Sequence, residues 1–155
     1  LPMLSLEPPK RVWPKILLAS IPLFLFGALG YMALNGEIAQ IRQMAVTWLI
    51  LNAALAGIGV ILARGHPLSA LVGALASPIT SLNPTLAAGW FAGYTQFKLD
   101  SPTVRDTKDF LALDDISLFW KNRVGKVLMV TAMGNVGSMA GAWIAGGAII
   151  GILIG

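Results

Sequence analysis

Four stretches of this chain carry no charged side chain: 16–36, 43–63, 67–97 and 127–155. Each reaches the roughly 20 apolar-dominated residues that a helix needs to cross a bilayer core of about 30 Å. Charged side chains fall before the first of them and in the intervals between them. This pattern predicts an all-α fold, a polytopic helical membrane bundle. Three full spans are expected at about 13–34, 43–63 and 124–154, after a Pro-rich lead-in at 1–12. Pro14 suits a first helical turn, and Pro22 is expected to kink the first span. Asn35-Gly36 opens a polar turn over 35–43. The second span should end at Arg64, Gly65, His66 and Pro67, with Gly65 suited to a C-terminal cap and His66 to capping a turn.

The run 67–97 fits no ordinary span. As one straight helix it would be about 46 Å long, well beyond the bilayer core. Asn83-Pro84 falls near its middle, where proline removes a helix hydrogen bond and disfavours helical geometry before it. Neither half is then long enough to span comfortably. Charge selects between crossing and returning. If 67–97 dips in and returns, ten of the eleven Lys and Arg residues share one side and Arg42 stands alone on the other. If it crosses once, the best division is seven against four. The first pattern obeys the positive-inside rule far better. The expectation is a broken segment, re-entrant or hairpin, in a prokaryotic plasma membrane with a cytoplasmic N-terminus.

Between 98 and 122 lies the one substantial polar segment. Thr103 with Asp106 three residues on has the form of a capping box, and an amphipathic surface helix is expected at about 102–113. Asp106, Asp109, Asp114 and Asp115 read as a solvated face, without calcium-loop spacing. Trp120, Lys121, Arg123 and Lys126 have the character of an interfacial flank to the last span.

Composition narrows the chemistry. The chain is 56% hydrophobic and 12% charged, about half the charge of soluble domains. It has no cysteine and one histidine, which excludes disulfides, thiolate catalysis and multi-His metal centres. The net charge of +4 comes from basic residues at span ends, so no nucleic-acid partner is indicated. No charged residue sits mid-span, which argues against a proton-coupled pump. No nucleophile–base pair is visible.

Two residue sets remain. Gly89/Gly93, Gly137/Gly141 and Gly147/Gly151/Gly155 recur at four-residue spacing, the pattern that lets helices approach closely in lipid. They serve either packing within one bundle or a homo-oligomer seam. Asn52, Asn83 and Asn135 lie in apolar runs, where an amide needs a partner. They act either as interhelical glue or, with Thr80, Ser81, Pro84 and Thr85, as the lining of a polar cavity. A faint echo between 83–93 and 135–147 keeps open a transporter or channel with a midplane site. A purely structural anchor is the third reading.

The segments SLNPTLAAGWFAGYTQFKLDSPTVRDTKDF and FWKNRVGKVLMVTAMGNVGSMAGAWIAG, in that order, resemble the carboxy-terminal membrane region of the TraB/PrgY pheromone-shutdown family. The likeness covers roughly 67–145, more vaguely the first two spans. It rests on Asn83, Pro84, Gly89, Trp90, Gly93, Pro102, Thr103, Asn122, Arg123 and Asn135. The resemblance implies a membrane-anchoring, oligomerising domain of a peptide-processing protein related to Tiki-type peptidases. Any divalent metal and any peptide substrate would belong to an N-terminal domain with a Gly-x-x-His motif, which this chain lacks. No catalytic residue therefore transfers. The absence of a starting methionine at Leu1 leads to the expectation that the chain is part of a longer one.

Overall fold

A computed structural model describes residues 27, 30–83, 86–112 and 117–154, the side chain of Leu118 excepted. The lead-in at 1–12, most of the expected first span, Pro22, Pro84, Thr85, Asp114, Asp115 and Gly155 lie outside the described residues. The described residues form helices and turns, with no strand among them. The chain divides after Ile38 into two units. In the first, the helical residues 30–34 end at Asn35-Gly36, where Gly36 takes φ +77°. Asn35 secures that end through both its backbone N–H and its side-chain amide, each donating to the Tyr31 carbonyl.

The second unit holds six helices: α1 (Ile38–Leu62, its first residue at the unit boundary), α2 (Pro67–Thr80), α3 (Ala88–Asp100), α4 (Val104–Leu111), α5 (Leu118–Lys121) and α6 (Arg123–Ile154). Helix α1 begins earlier than the expected 43, since Gln40, Arg42 and Gln43 are good helix formers and nothing after Gly36 breaks the chain. Helix α4 is shorter than 102–113. Thr103 is held extended as its cap, and the helix closes at Leu111 with Ala112 as the C-terminal cap. At the end of α1 the left-handed residue is Arg64 (φ 57°), not Gly65. Gly65 is needed for a different reason: a Cβ there would sit 2.6 Å from Val60 Cγ1 and 2.9 Å from Val130 Cγ2.

Contacts between helices fix their directions. The His66 N–H donates to Gln96 Oε1 at 2.8 Å, while Gly73 faces Ala92. An early residue of α2 thus meets a late residue of α3, so the two are antiparallel, and 81–87 is the tip of a helical hairpin. Gly59 packs on Met133, Gly137 on Leu55 and Gly141 on Asn52, which sets α1 antiparallel to α6. Gly89 and Gly93 pack on Thr131, and Asp100 reaches Lys126, which sets α3 antiparallel to α6.

At 1.5 Å per residue α1 is about 37 Å long, α6 about 48 Å, and α2 and α3 only about 20 Å each. The hairpin therefore runs beside about half of the α1–α6 pair. Arg64, Lys98, Arg105, Lys108, Lys121, Arg123 and Lys126 gather at the end where the hairpin begins and finishes, and Arg42 stands toward the other end of α1.

The interior is built from small side chains. Ala56, Ala70, Ala88, Ala92, Ala145 and several glycines are buried, and the largest fully buried side chains are Gln96, Val60, Val130, Asn52, Ser69 and Ser77. Large apolar residues point outward: Leu75 is 67% exposed, Ile79 70% and Trp143 79%. This inverts the ordinary arrangement of a protein folded in water. Helices α1 and α6 are both long and apolar enough to cross a membrane.

Candidate functional site: the hairpin tip

A helix leaves its last four carbonyls and first N–H groups without intrahelical partners. At the hairpin tip those groups are brought beside Asn52 of α1, roughly 15 Å along that helix from Leu62, and beside Ser138 and Asn135 of α6. Each of the last four carbonyls of α2 has a donor. Ser77 O accepts from the Ser81 N–H at 2.9 Å, Ile79 O from Leu82 at 3.2 Å and Thr80 O from Asn83 at 3.0 Å. Pro78 O accepts from the indole N–H of Trp48 at 3.1 Å. At the start of α3, Ala87 offers no side-chain cap. Asn135 supplies one from α6, its Oδ1 accepting from the Gly89 N–H at 2.7 Å.

Four side chains form a continuous polar chain across three helices. Ser77 Oγ donates to Ser138 Oγ at 2.8 Å, and Ser138 and Ser81 are 3.0 Å apart. Ser81 Oγ lies 2.7 Å from Asn52 Oδ1 and 2.7 Å from Ser77 O. Asn52 Nδ2 donates to Trp48 O at 3.0 Å. Each hydroxyl has one proton, so one consistent ordering runs Ser77 to Ser138 to Ser81 to Asn52 to Trp48. In that ordering every one of these groups donates once. Asn52, Ser77 and Ser138 are buried and Ser81 is half-buried.

Of the residues singled out in sequence, Asn52 and Ser81 come together. Thr80 is buried, but its hydroxyl turns back to Ala76 O and Ser77 O of its own helix. Asn135 serves the start of α3 rather than joining Asn52. Ser77, Ser138 and Trp48 were not singled out. Serines in an apolar run resemble packing residues, and an indole gives no sign of a partner 30 residues away.

The glycines divide. A Cβ on Gly89 would overlap Thr131 O, one on Gly93 Thr131 Oγ1, and one on Gly137 Leu55 O; one on Gly141 would lie 2.8 Å from Asn52 Cα. These four are used inside the bundle. Gly147 and Gly151 have nothing within 4 Å of a Cβ.

The basic end is tied by further caps. His66 Nδ1 accepts from the Leu68 N–H at 3.1 Å and caps α2. Buried Gln96 donates to Asp100, which in turn sits 3.6 Å from Lys126. Thr103 and Asp106 form the full capping box. Asp106 is held below the usual carboxylate range by the Thr103 hydroxyl and N–H, which outweigh the opposing effect of desolvation, with lesser help from Arg123 and Arg105. Asn122 caps α6 through the Val124 and Gly125 N–H groups, and its amide donates to Asp106 O at 2.8 Å. Pro102 lies between α3 and α4, Arg123 opens α6, and Trp90 is on the outer face of α3. Among the described residues no group of three His, Asp or Glu is placed to hold a metal.

The carboxy-terminal domain model of TraB family proteins matches residues 13–154. An uncharacterized protein of Methanocaldococcus jannaschii is 30% identical over 156 residues, covering 97% of this chain and 39% of the relative's own length. No solved structure matches. The match over residues 13–154, nearly the whole chain, shows that the chain belongs to the TraB family, within its carboxy-terminal domain.

Proposed function

We propose that this domain is the membrane anchor of a TraB protein, with α2 and α3 forming a re-entrant hairpin that enters from the basic end. The observation that carries this reading is the repair of the break. Non-helical backbone at membrane depth is tolerated where protein or a wet cavity satisfies it. Here the α2 carbonyls and the Gly89 N–H find donors and acceptors within the bundle. The small interior and greasy exterior suit a lipid solvent, in which close backbone approach replaces hydrophobic burial as the packing principle. The positive-inside rule then places the basic end in the cytoplasm. The bonded polar chain at the tip supports a rigid scaffold for the rest of the protein, whose peptide chemistry the family resemblance implies. Self-association, in this reading, would use the open Gly147/Gly151 face.

Single cysteines test the topology, because the chain has none of its own. Arg64→Cys and Thr107→Cys should react with an impermeant maleimide from one side of oriented vesicles, and Glu37→Cys from the other. Reaction of Arg64→Cys and Thr107→Cys from opposite sides would end the re-entrant reading. One observation favours a second reading, a transporter: the ends of two half-length helices meet beside Asn52 and Ser138, part-way along α1 and α6, and in this reading that point would lie near the midplane, as at transporter sites. Specific solute uptake by proteoliposomes, abolished by Asn52→Ala, would move that reading forward.

A further inference from the structure

We propose that a groove at the basic end, where α3, α4 and α6 meet, is a binding site for one anionic phospholipid. This rests on the membrane reading above. The groove has a volume of about 380 Å³ and is lined by Phe97 of α3, Thr103, Val104 and Thr107 around the start of α4, and Val127 and Leu128 of α6. Its walls are mainly apolar, yet they lie beside the most highly charged part of the chain. From Val124 to Leu128 it rises about 6 Å along α6. That matches the headgroup layer on one side of a bilayer, the difference between a core of about 30 Å and a total of about 40–45 Å. One end of the groove is therefore at headgroup level and the other at the start of the acyl chains.

Charge selects the occupant. Lys98, Arg105, Lys108 and Arg123 are each adjacent in sequence to a lining residue or to Val124, which also lines the groove. The carboxylates nearby are largely engaged. Asp100 is with Lys126 at 3.6 Å, Asp109 with Arg105 at 3.9 Å, and Asp106 accepts both Thr103 donors at 2.7 Å. Among the described residues Lys98, Lys108 and Arg123 make no ion pair within 4.0 Å. Lys98 lies over the Tyr94 ring at 5.5 Å, four residues back along α3. An apolar slot bordered in sequence by cations that make no ion pair within 4.0 Å fits a lipid phosphate whose acyl chain follows Phe97 and Leu128 into the core.

The test uses the purified chain in neutral detergent, titrated with dioleoyl-phosphatidylglycerol, dioleoyl-phosphatidylcholine or inorganic phosphate, with bound lipid counted by native mass spectrometry. Two cations at about fivefold each give an expected preference of about twenty-five-fold for phosphatidylglycerol, saturating at one molecule. Lys98→Gln/Arg123→Gln should remove that preference, and Leu128→Trp should block the slot. Equal binding of the two lipids, an unchanged preference in both variants, or competition by inorganic phosphate at equal concentration would overturn the proposal. The cysteine labelling pattern would be untouched by that failure, so loss of the lipid site and loss of the membrane reading are separately visible.

Discussion

Gly89 and Gly147 offer a controlled comparison, since the same methyl group is added to the same kind of helix in two surroundings. At Gly89 the new Cβ would overlap the Thr131 carbonyl and lie 2.6 Å from Asn135 Oδ1, where ordinary contact begins at 3.4 Å. Thr131 O is backbone, so relief requires α3 and α6 to separate. Overpacking of this kind costs about 1–3 kcal/mol. The shift also stretches the Gly89 N–H bond to Asn135, 2.7 Å in the native packing, worth about 0.6 kcal/mol on average for a side-chain bond between membrane helices. Less the helix-propensity gain of up to about 1 kcal/mol that alanine brings at either site, Gly89→Ala is therefore expected to lose about 1–3 kcal/mol. At Gly147 nothing lies within 4 Å, and alanine's helix propensity favours the change by up to about 1 kcal/mol. Reversible unfolding in mixed micelles with increasing dodecyl sulfate measures both. Gly89→Ala within 0.5 kcal/mol of the parent (a threshold of about the usual scatter for surface changes) would refute the packing argument. The same samples report self-association, and a drop in dimer fraction for Gly147→Ala alone would assign the open face to a seam.

Three other perturbations address the caps and the polar chain. Asn122→Ala should cost about 1–2 kcal/mol, because it removes the α6 cap and the bond to Asp106 O, while Asn122→Asp should retain most of the cap; the same unfolding titration measures both. Ser138→Ala leaves Ser77 without its acceptor and should destabilise by about 1–2 kcal/mol, with part of the loss recovered in Ser77→Ala/Ser138→Ala. For Asp106 the folded carboxyl titrates below its reference of 3.8. Its contribution is thus complete above that value and is lost as pH falls through the lower folded value. Acid unfolding followed by circular dichroism should show this limb, and Asp106→Asn should flatten it.

Much of the architecture was legible in the hydrophobic pattern, because a hairpin leaves two marks in sequence. One is the break at Asn83-Pro84 within an overlong apolar run, and the structure ends α2 at Thr80 and restarts at Ala88 around it. The other is the basic residues on both sides of that run, which an antiparallel pair brings to one end. The Thr103–Asp106 box was equally legible, since capping is local. Rotation about a helix axis was not. It decides that Asn52 meets Ser81 while Asn135 meets Gly89, and four-residue glycine spacing is the same whether the stripe faces in or out. Pro78 shows a related limit. Its helix continues to Thr80, and its carbonyl is taken by Trp48, a pairing that no local rule announces.

The account depends most on where the hairpin tip sits in the bilayer. A spin label at Leu82→Cys, with one at Thr107→Cys as reference, reports depth through the ratio of collision rates with oxygen and with a water-soluble nickel chelate. A tip at mid-depth predicts that Leu82→Cys collides readily with oxygen and rarely with the chelate, while Thr107→Cys does the reverse. A Leu82→Cys label as open to the chelate as Thr107→Cys would place the tip at a membrane surface and contradict the re-entrant hairpin.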